Sequence, residues 1–197
     1  MKFKALLLFS SMLAVAACGQ RNDTGANADM NATDSSMTGT NMDTGNMAMN
    51  DNTAMSPTSA QGFANAAAAS DRFEIESSKL ASAAGASAAT KAFATKMIDA
   101  HTASTAKLKS TTGGMSPPVT PDDTLTAEQQ LTLDNLKTLK GADFDAAYKT
   151  AQVDGHTKAL DMLKAYSASG DTPALKTFAD GLIPTVTAHL NMANGLK

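Results

Sequence analysis

The sequence predicts an all-α domain over 62–197, a four-helix bundle in which one long crossover carries a short extra helix. After residue 61 the composition shifts to Ala, Leu, Lys and Phe, and apolar residues recur at helical spacing with almost no strand pattern. Glycines, prolines and capping residues divide this region into five segments, four of them long. Four long helices with apolar stripes can enclose one common core, which is the arrangement of a helical bundle.

The first two long helices are predicted on either side of a glycine. One runs over 64–84 and stops at Gly85, and the second runs over 87–110 and ends before a Gly-Gly and a Pro-Pro pair. Spacings of three and four residues define the side of each helix that faces the core. The predicted inward positions are Ala69, Phe73, Glu76, Leu80 and Ala83 in the first helix and Phe93, Ala94, Met97, Ile98, His101, Ser104 and Leu108 in the second.

The remaining three helices follow a proline-rich connector. A short third helix starts at a Thr126 cap and ends near 140, the fourth runs over 143–169, and the fifth opens with a cap and a first-turn proline at 171–173. The predicted inward positions are Phe144, Tyr148, Gln152, His156, Ala159 and Leu163 in the fourth helix and Leu175, Phe178, Leu182, Thr185, His189, Met192 and Leu196 in the fifth.

Residues 1–17 have the pattern of an export signal, with two lysines, an apolar stretch too short to span a bilayer, and small residues. The sequence Val-Ala-Ala-Cys-Gly at 15–19 resembles a bacterial lipobox, in which the cysteine is acylated and becomes the new N-terminus. The alternative is an ordinary signal peptide with a chance cysteine. We predict a lipoprotein anchored to the membrane through Cys18, the only cysteine. Because Gly19 rather than Asp follows it, we expect the periplasmic face of the outer membrane.

Residues 18–61 are predicted to form a disordered tether. From Gly19 to about residue 60 the chain contains no aromatic residue and no Leu, Ile or Val, so it cannot bury enough apolar surface to offset its chain entropy. Methionine is frequent here, and thioethers are soft ligands that favour Cu(I). The candidate Cu(I) ligands are Met42, Met47 and Met49. The alternative interpretation is a low-complexity spacer without a ligand.

Composition and motifs exclude several classes of function. The 16 Lys and Arg against 19 Asp and Glu give a formal net charge of −3, which leaves no surplus to neutralise the phosphates of a nucleic acid. The Gly-Gly pair at 113–114 leads into a proline-rich loop rather than a helix, so it is not a phosphate-binding loop. No serine has the context of a nucleophile elbow, and acylation would remove the only thiol. We therefore predict no catalytic residues.

Four stretches of the helical region together resemble a bacterial ferritin-like family of unknown function, whose exported members are labelled outer-membrane proteins. They are FEIESSKLA at 73–81, FAxxMIDxHT at 93–102, GxxFDxxY with QVxxH at 141–156, and LIPxVxxHL at 182–190. The resemblance covers 62–196. It implies a ferritin-like up-down bundle and a location in the cell envelope, and it supplies no established activity.

The three histidines of the chain, His101, His156 and His189, each fall on the inward stripe of a different long helix. The remaining long helix places Glu76 on its stripe. Imidazole and carboxylate groups in a bundle core are how ferritin-like proteins hold metal ions. This ligand set would suit Fe, Mn, Zn or Cu(II).

Two observations argue against a conventional di-iron site. That pattern needs a Glu three residues before a His, and these positions hold Ile98, Val153 and Val186. Helical rise also places Glu76 and His101 at heights that differ by roughly 10 Å, unless the loop between their helices is asymmetric.

Two interpretations of the histidines stay open. In the first, they form a structural hydrogen-bonded network with Tyr148, Gln152, Thr185 or Glu76, and the protein has a non-catalytic binding, interaction or stress-related role. In the alternative, the chain is a periplasmic protein that binds a metal ion through Glu76 and the three histidines. A less favoured form of this alternative is an enzyme that uses a redox-active metal ion. A shared ion requires ligands within a few Å of one another, so imidazoles more than about 8 Å apart would exclude it.

Overall fold

The computed structural model describes Ser56 and residues 58–197. The predicted export signal and most of the predicted tether, with Cys18 and the three candidate methionines, lie outside the described residues. All regular structure in the described part is helical, which confirms the all-α prediction. The helices are α1 (Ala60–Ala83), α2 (Ala88–Gly113), α3 (Ala127–Thr138), α4 (Gly141–Ser169) and α5 (Pro173–Asn194). None of these helices is both long and apolar enough to cross a membrane.

The four long helices form a ring in which α1 and α5 each pack against both α2 and α4. Short loops at 84–87 and 170–172 make the pairs α1–α2 and α4–α5 antiparallel. The backbone N–H of Gly141 donates to the carbonyl of Ala84 at 2.8 Å, which joins the end of α1 to the start of α4. Neighbouring helices therefore all run antiparallel. The long connector 114–140 crosses the bundle diagonally and carries α3, which packs against α1 and α4.

The helix ends are fixed by local hydrogen bonds. Thr126 caps α3 as predicted: its hydroxyl accepts the N–H of Gln129 at 3.2 Å, and the Gln129 side chain accepts the N–H of Thr126 at 2.9 Å. α1 begins four residues earlier than predicted, because the hydroxyl of Ser59 accepts the N–H of Gly62 at 3.1 Å and caps the helix there. Two extended residues separate α3 from α4, and Gly141 at the start of α4 adopts φ = 54°, a left-handed value that suits glycine.

The core consists of two apolar clusters with a layer of buried polar side chains between them. One cluster, at the α1–α2 loop, includes Phe73, Phe93, Met97, Phe144, Tyr148, Ala151 and Ala193. The other, at the opposite end, includes Phe63, Leu108, Leu160, Tyr166, Phe178 and Val186. The polar layer comprises Asp71, Glu74, Ser77, Ser78, His101, Gln152, His156 and His189. In α2, α4 and α5 the histidine lies between residues of the two clusters, so the polar layer crosses the middle of the bundle.

Candidate metal centre

The three histidines meet in the polar layer. The ring centroids of His101 and His156 are 5.6 Å apart, those of His101 and His189 are 5.7 Å apart, and those of His156 and His189 are 5.4 Å apart. One ring nitrogen from each histidine lies within 4.8 Å of one from each of the others. A tetrahedral ion with metal–nitrogen bonds of 2.0–2.1 Å needs nitrogens about 3.3 Å apart. Small side-chain rotations would bring the three rings to that spacing.

A buried carboxylate orients His101. Its Nδ1 lies 2.8 Å from Oδ1 of Asp71, and the two residues are only 7 % and 5 % exposed. The second oxygen of Asp71 accepts the hydroxyl of Thr105 at 3.1 Å. An Nδ1–H donated to Asp71 leaves the lone pair of the neutral ring on Nε2. A carboxylate behind a histidine is the arrangement that fixes ring and tautomer in metal sites.

A backbone carbonyl orients His156 in the same way. Its Nδ1 lies 2.8 Å from the carbonyl oxygen of Gln152, one turn earlier in α4, and 3.6 Å from Oε1 of Glu74. Both neighbours are acceptors, so Nδ1 carries the proton and Nε2 carries the lone pair. Within the described part of the chain, Nε2 of His101, Nε2 of His156 and Nδ1 of His189 are buried and have no hydrogen-bond partner. Each ring, once neutral, therefore has one nitrogen that can coordinate.

Glu74 is the second carboxylate of the polar layer and is 1 % exposed. It reaches α4 only because position 155 is glycine: a Cβ there would lie 2.8 Å from Oε1 of Glu74. Its other oxygen, Oε2, has no hydrogen-bond partner among the described residues. Burial raises the pKa of Glu74 to about 7, and the positive charge of His101 offsets only part of this effect.

Burial also sets the charge of the histidines. It lowers the pKa of His156 to about 4 and that of His189 to about 4. Burial acts in the same direction on His101, but the hydrogen bond with Asp71 and the negative charge of Glu74 outweigh it and raise the pKa of this ring. At neutral pH, His156 and His189 are therefore neutral, which is the state that binds a metal ion.

The structure does not bring Glu76 into this group. Its carboxylate pairs with Nε of Arg72 at 2.8 Å, and its side chain is 39 % exposed. The predicted inward stripe of α1 was wrong at this point, because the buried carboxylates on this helix belong to Asp71 and Glu74. The expected mismatch in height concerned Glu76 and does not apply to Asp71, which bonds directly to His101.

Sequence reasoning missed Asp71 and Glu74 because the inward stripe predicted for α1 passed through Phe73 and Glu76 and left these two residues out. A signal was present: these two residues continue the spacing of three and four residues between the buried alanines at 67 and 81, by way of Ser78. Two carboxylates on an otherwise buried stripe indicate partners on the facing helices.

The side chains expected to pair with the imidazoles bond elsewhere. The hydroxyl of Tyr148 lies 2.6 Å from that of Ser78, and Nε2 of Gln152 donates to the hydroxyl of Ser77 at 3.2 Å. Thr185 is exposed. These contacts tie α4 to α1, and among the described residues they leave one buried nitrogen of each histidine without a hydrogen-bond partner, unlike the network anticipated from the sequence.

Comparison with known proteins gives a family and a fold. A family model described as Domain of unknown function (DUF4142) matches residues 44–196. No curated protein matches the chain. A solved structure described as CopM in the Cu(II)-bound form is similar with a TM-score of 0.59 and 16 % sequence identity, and the match covers 70 % of this chain and 94 % of that one. At this identity the likeness shows a shared fold.

Proposed function

We propose that the bundle of this chain, which belongs to the family described as Domain of unknown function (DUF4142), binds one transition-metal ion. The ion would lie between His101, His156 and His189. One observation carries the proposal: each ring keeps a buried nitrogen without a hydrogen-bond partner in the described part of the chain, while the other nitrogen of His101 and of His156 is held by an oxygen acceptor. Unpaired buried polar atoms destabilise a fold, whereas coordination gives them a partner.

The donor set favours copper or zinc. Three imidazoles suit Cu(II) and Zn(II), and Cu(II) binds most tightly to nitrogen sites among the common divalent ions. Iron sites in helical bundles use several carboxylate ligands, whereas Asp71 here is engaged with His101 and Thr105. The Cu(II)-bound form of CopM, which shares the fold, adds support for copper. Cu(II) is therefore the first ion to test, and Zn(II) is the second.

The cellular setting is part of the proposal and rests on the sequence. Acylation of Cys18 would anchor the chain to a membrane, and the export pattern at 1–17 would place it in the bacterial envelope, at the periplasmic face of the outer membrane. The bundle would then bind its ion on the periplasmic side as a non-catalytic metal-binding domain. Loss of palmitate labelling in the C18A variant tests the anchor, and unchanged membrane partitioning of that variant would contradict it.

Metal titration of the purified mature chain tests the site. Co(II) is the most informative probe, because tetrahedral coordination by nitrogen gives visible d–d absorption that the N-terminal methionines would not imitate. We expect one Co(II) or Cu(II) per chain, and at least 100-fold weaker binding in H156N and H189N. E76Q is the matched control and should bind like the wild type. Absence of stoichiometric binding, or equal binding by the wild type and H156N, would refute the proposal.

A further inference from the structure

A small cavity of about 40 Å³ lies beside the histidines. All four long helices contribute to its wall, among them Ala67 of α1, Ser104 of α2, Met162 of α4 and Val186 of α5. His101 and His189 line it, whereas His156 does not, so the cavity lies on one side of the three-histidine group. Most of the remaining wall is formed by small or aliphatic side chains.

Three histidines supply three ligands, and an ion with four-coordinate geometry has one further position. In sites that act on small molecules this fourth position is held by a water molecule or by an exchangeable ligand. The cavity carboxylate, Asp71, already bonds to His101 and Thr105, so it is not free to take the position. The fourth position can then be filled from the cavity side.

Size sets the class of ligand. A cavity needs a volume of about 10–15 Å³ to hold one water molecule, so a cavity of about 40 Å³ accommodates a ligand of two or three heavy atoms. A whole sugar, peptide or nucleotide does not fit inside this volume. The hydroxyl of Ser104 in the wall can donate a hydrogen bond to the far end of a short ligand.

We infer that the fourth position of the bound ion opens into this cavity and takes a small ligand of two or three heavy atoms, for which azide is a probe. This inference rests on the proposed metal site. The thioether of Met162, which is half-buried and also lines the cavity, is the competing occupant of the fourth position.

Azide titration of the Cu(II)-loaded mature chain tests the inference. We expect a saturable new charge-transfer absorption and a changed Cu(II) electron paramagnetic resonance spectrum, with one azide per ion. A67V narrows the cavity and should weaken azide binding at least tenfold in samples that hold one Cu(II) per chain. A66V is the matched control, since Ala66 is the adjacent residue but is exposed and faces an outer groove. S104L replaces A67V if that variant does not fold.

The outcomes separate the inference from the proposed function. A chain that takes up no Cu(II) refutes the metal site itself. A chain that holds Cu(II) but shows no spectral change with azide overturns the inference and leaves the metal site standing. Azide binding that appears only in M162L assigns the fourth position to the thioether and also overturns it. Equal azide affinity in A67V and A66V places the azide outside the cavity, and this result also overturns the inference.

Discussion

Replacement of Gly155 by alanine tests the packing that holds Glu74 inside the bundle. The added Cβ would lie 2.8 Å from Oε1 of Glu74, closer than side chains tolerate, and 3.7 Å from the ring of Phe73. Glu74 is 1 % exposed, so its carboxyl group has little room to move. Either the carboxyl group shifts away from His156 or α1 and α4 separate. In both cases the altered packing should lower the free energy of unfolding of the G155A variant.

The expected magnitude follows from two opposing effects. Overpacking of a tight interior costs about 1–3 kcal/mol, whereas the higher helix propensity of alanine contributes about 0.8–1.0 kcal/mol in its favour. Gly181 provides the matched control, because it is exposed in α5 and a Cβ there meets only Nζ of Lys107, at 3.7 Å. Since the propensity gain is common to both variants, G155A should be about 1–3 kcal/mol less stable than G181A.

Denaturant and thermal unfolding of the metal-free mature chain measure this difference. At roughly 3–5 °C per kcal/mol, the thermal midpoints of the two variants should differ by about 3–15 °C. The double variant G155A/E74A should recover part of the loss, because the clashing carboxyl group is gone. If G155A is as stable as G181A, the close contact between Glu74 and α4 does not exist in solution and the reasoning fails.

Three further predictions concern the polar layer. D71N should weaken Cu(II) binding about 10–100-fold, because it removes the carboxylate that orients the ring of His101. Unchanged affinity in a Cu(II) titration would argue against this orienting role of Asp71. The metal-free chain should lose stability as the pH falls from about 6.5 to 4, since the pKa values of His156 and His189 are lowered to about 4 and the unfolded chain therefore binds more protons in this range. Glu74 acts in the opposite direction, because its pKa is raised to about 7 and the folded chain binds the extra proton. The free energy of unfolding, measured with urea, should therefore fall more steeply with pH in E74Q than in the wild type. A free energy of unfolding in E74Q that does not change over this pH range would contradict the burial of the imidazoles. Y148F should lower the free energy of unfolding by about 1–2 kcal/mol, because it removes a 2.6 Å hydrogen bond to a buried serine of α1, and an unchanged midpoint would show that the bond contributes nothing.

The sequence predicted the positions of the histidines correctly. Each lies three or four residues from a buried apolar side chain: His101 follows Met97, and His189 follows Val186. Spacing along one helix suffices for this kind of prediction, because a side chain on an apolar stripe faces the core whatever its partner. The same reasoning located the helices to within a few residues, with the largest error at the Ser59 cap of α1.

The acidic half of the site was missed, because α1 has two candidate stripes with helical spacing and the one through Glu76 was chosen. Glu76 was chosen from its spacing to Leu80, which is itself only half-buried. Burial of Glu74 is tolerated because α4 offers a glycine and an imidazole opposite it, and burial of Asp71 is tolerated because α2 offers His101. These compensating groups are distant in sequence, so a pattern within one helix does not show them.

The polar layer also determines how the helices align. Both apolar clusters include alanines beside their large side chains, and a helix that slides by one turn, about 5.4 Å, would still place many apolar groups against apolar groups. Such a slip would move the imidazoles away from Asp71 and against the aromatic rings of a neighbouring cluster, which would leave several charged or polar groups without partners. The polar layer therefore adds to the apolar packing a second, independent penalty against any other register of the helices.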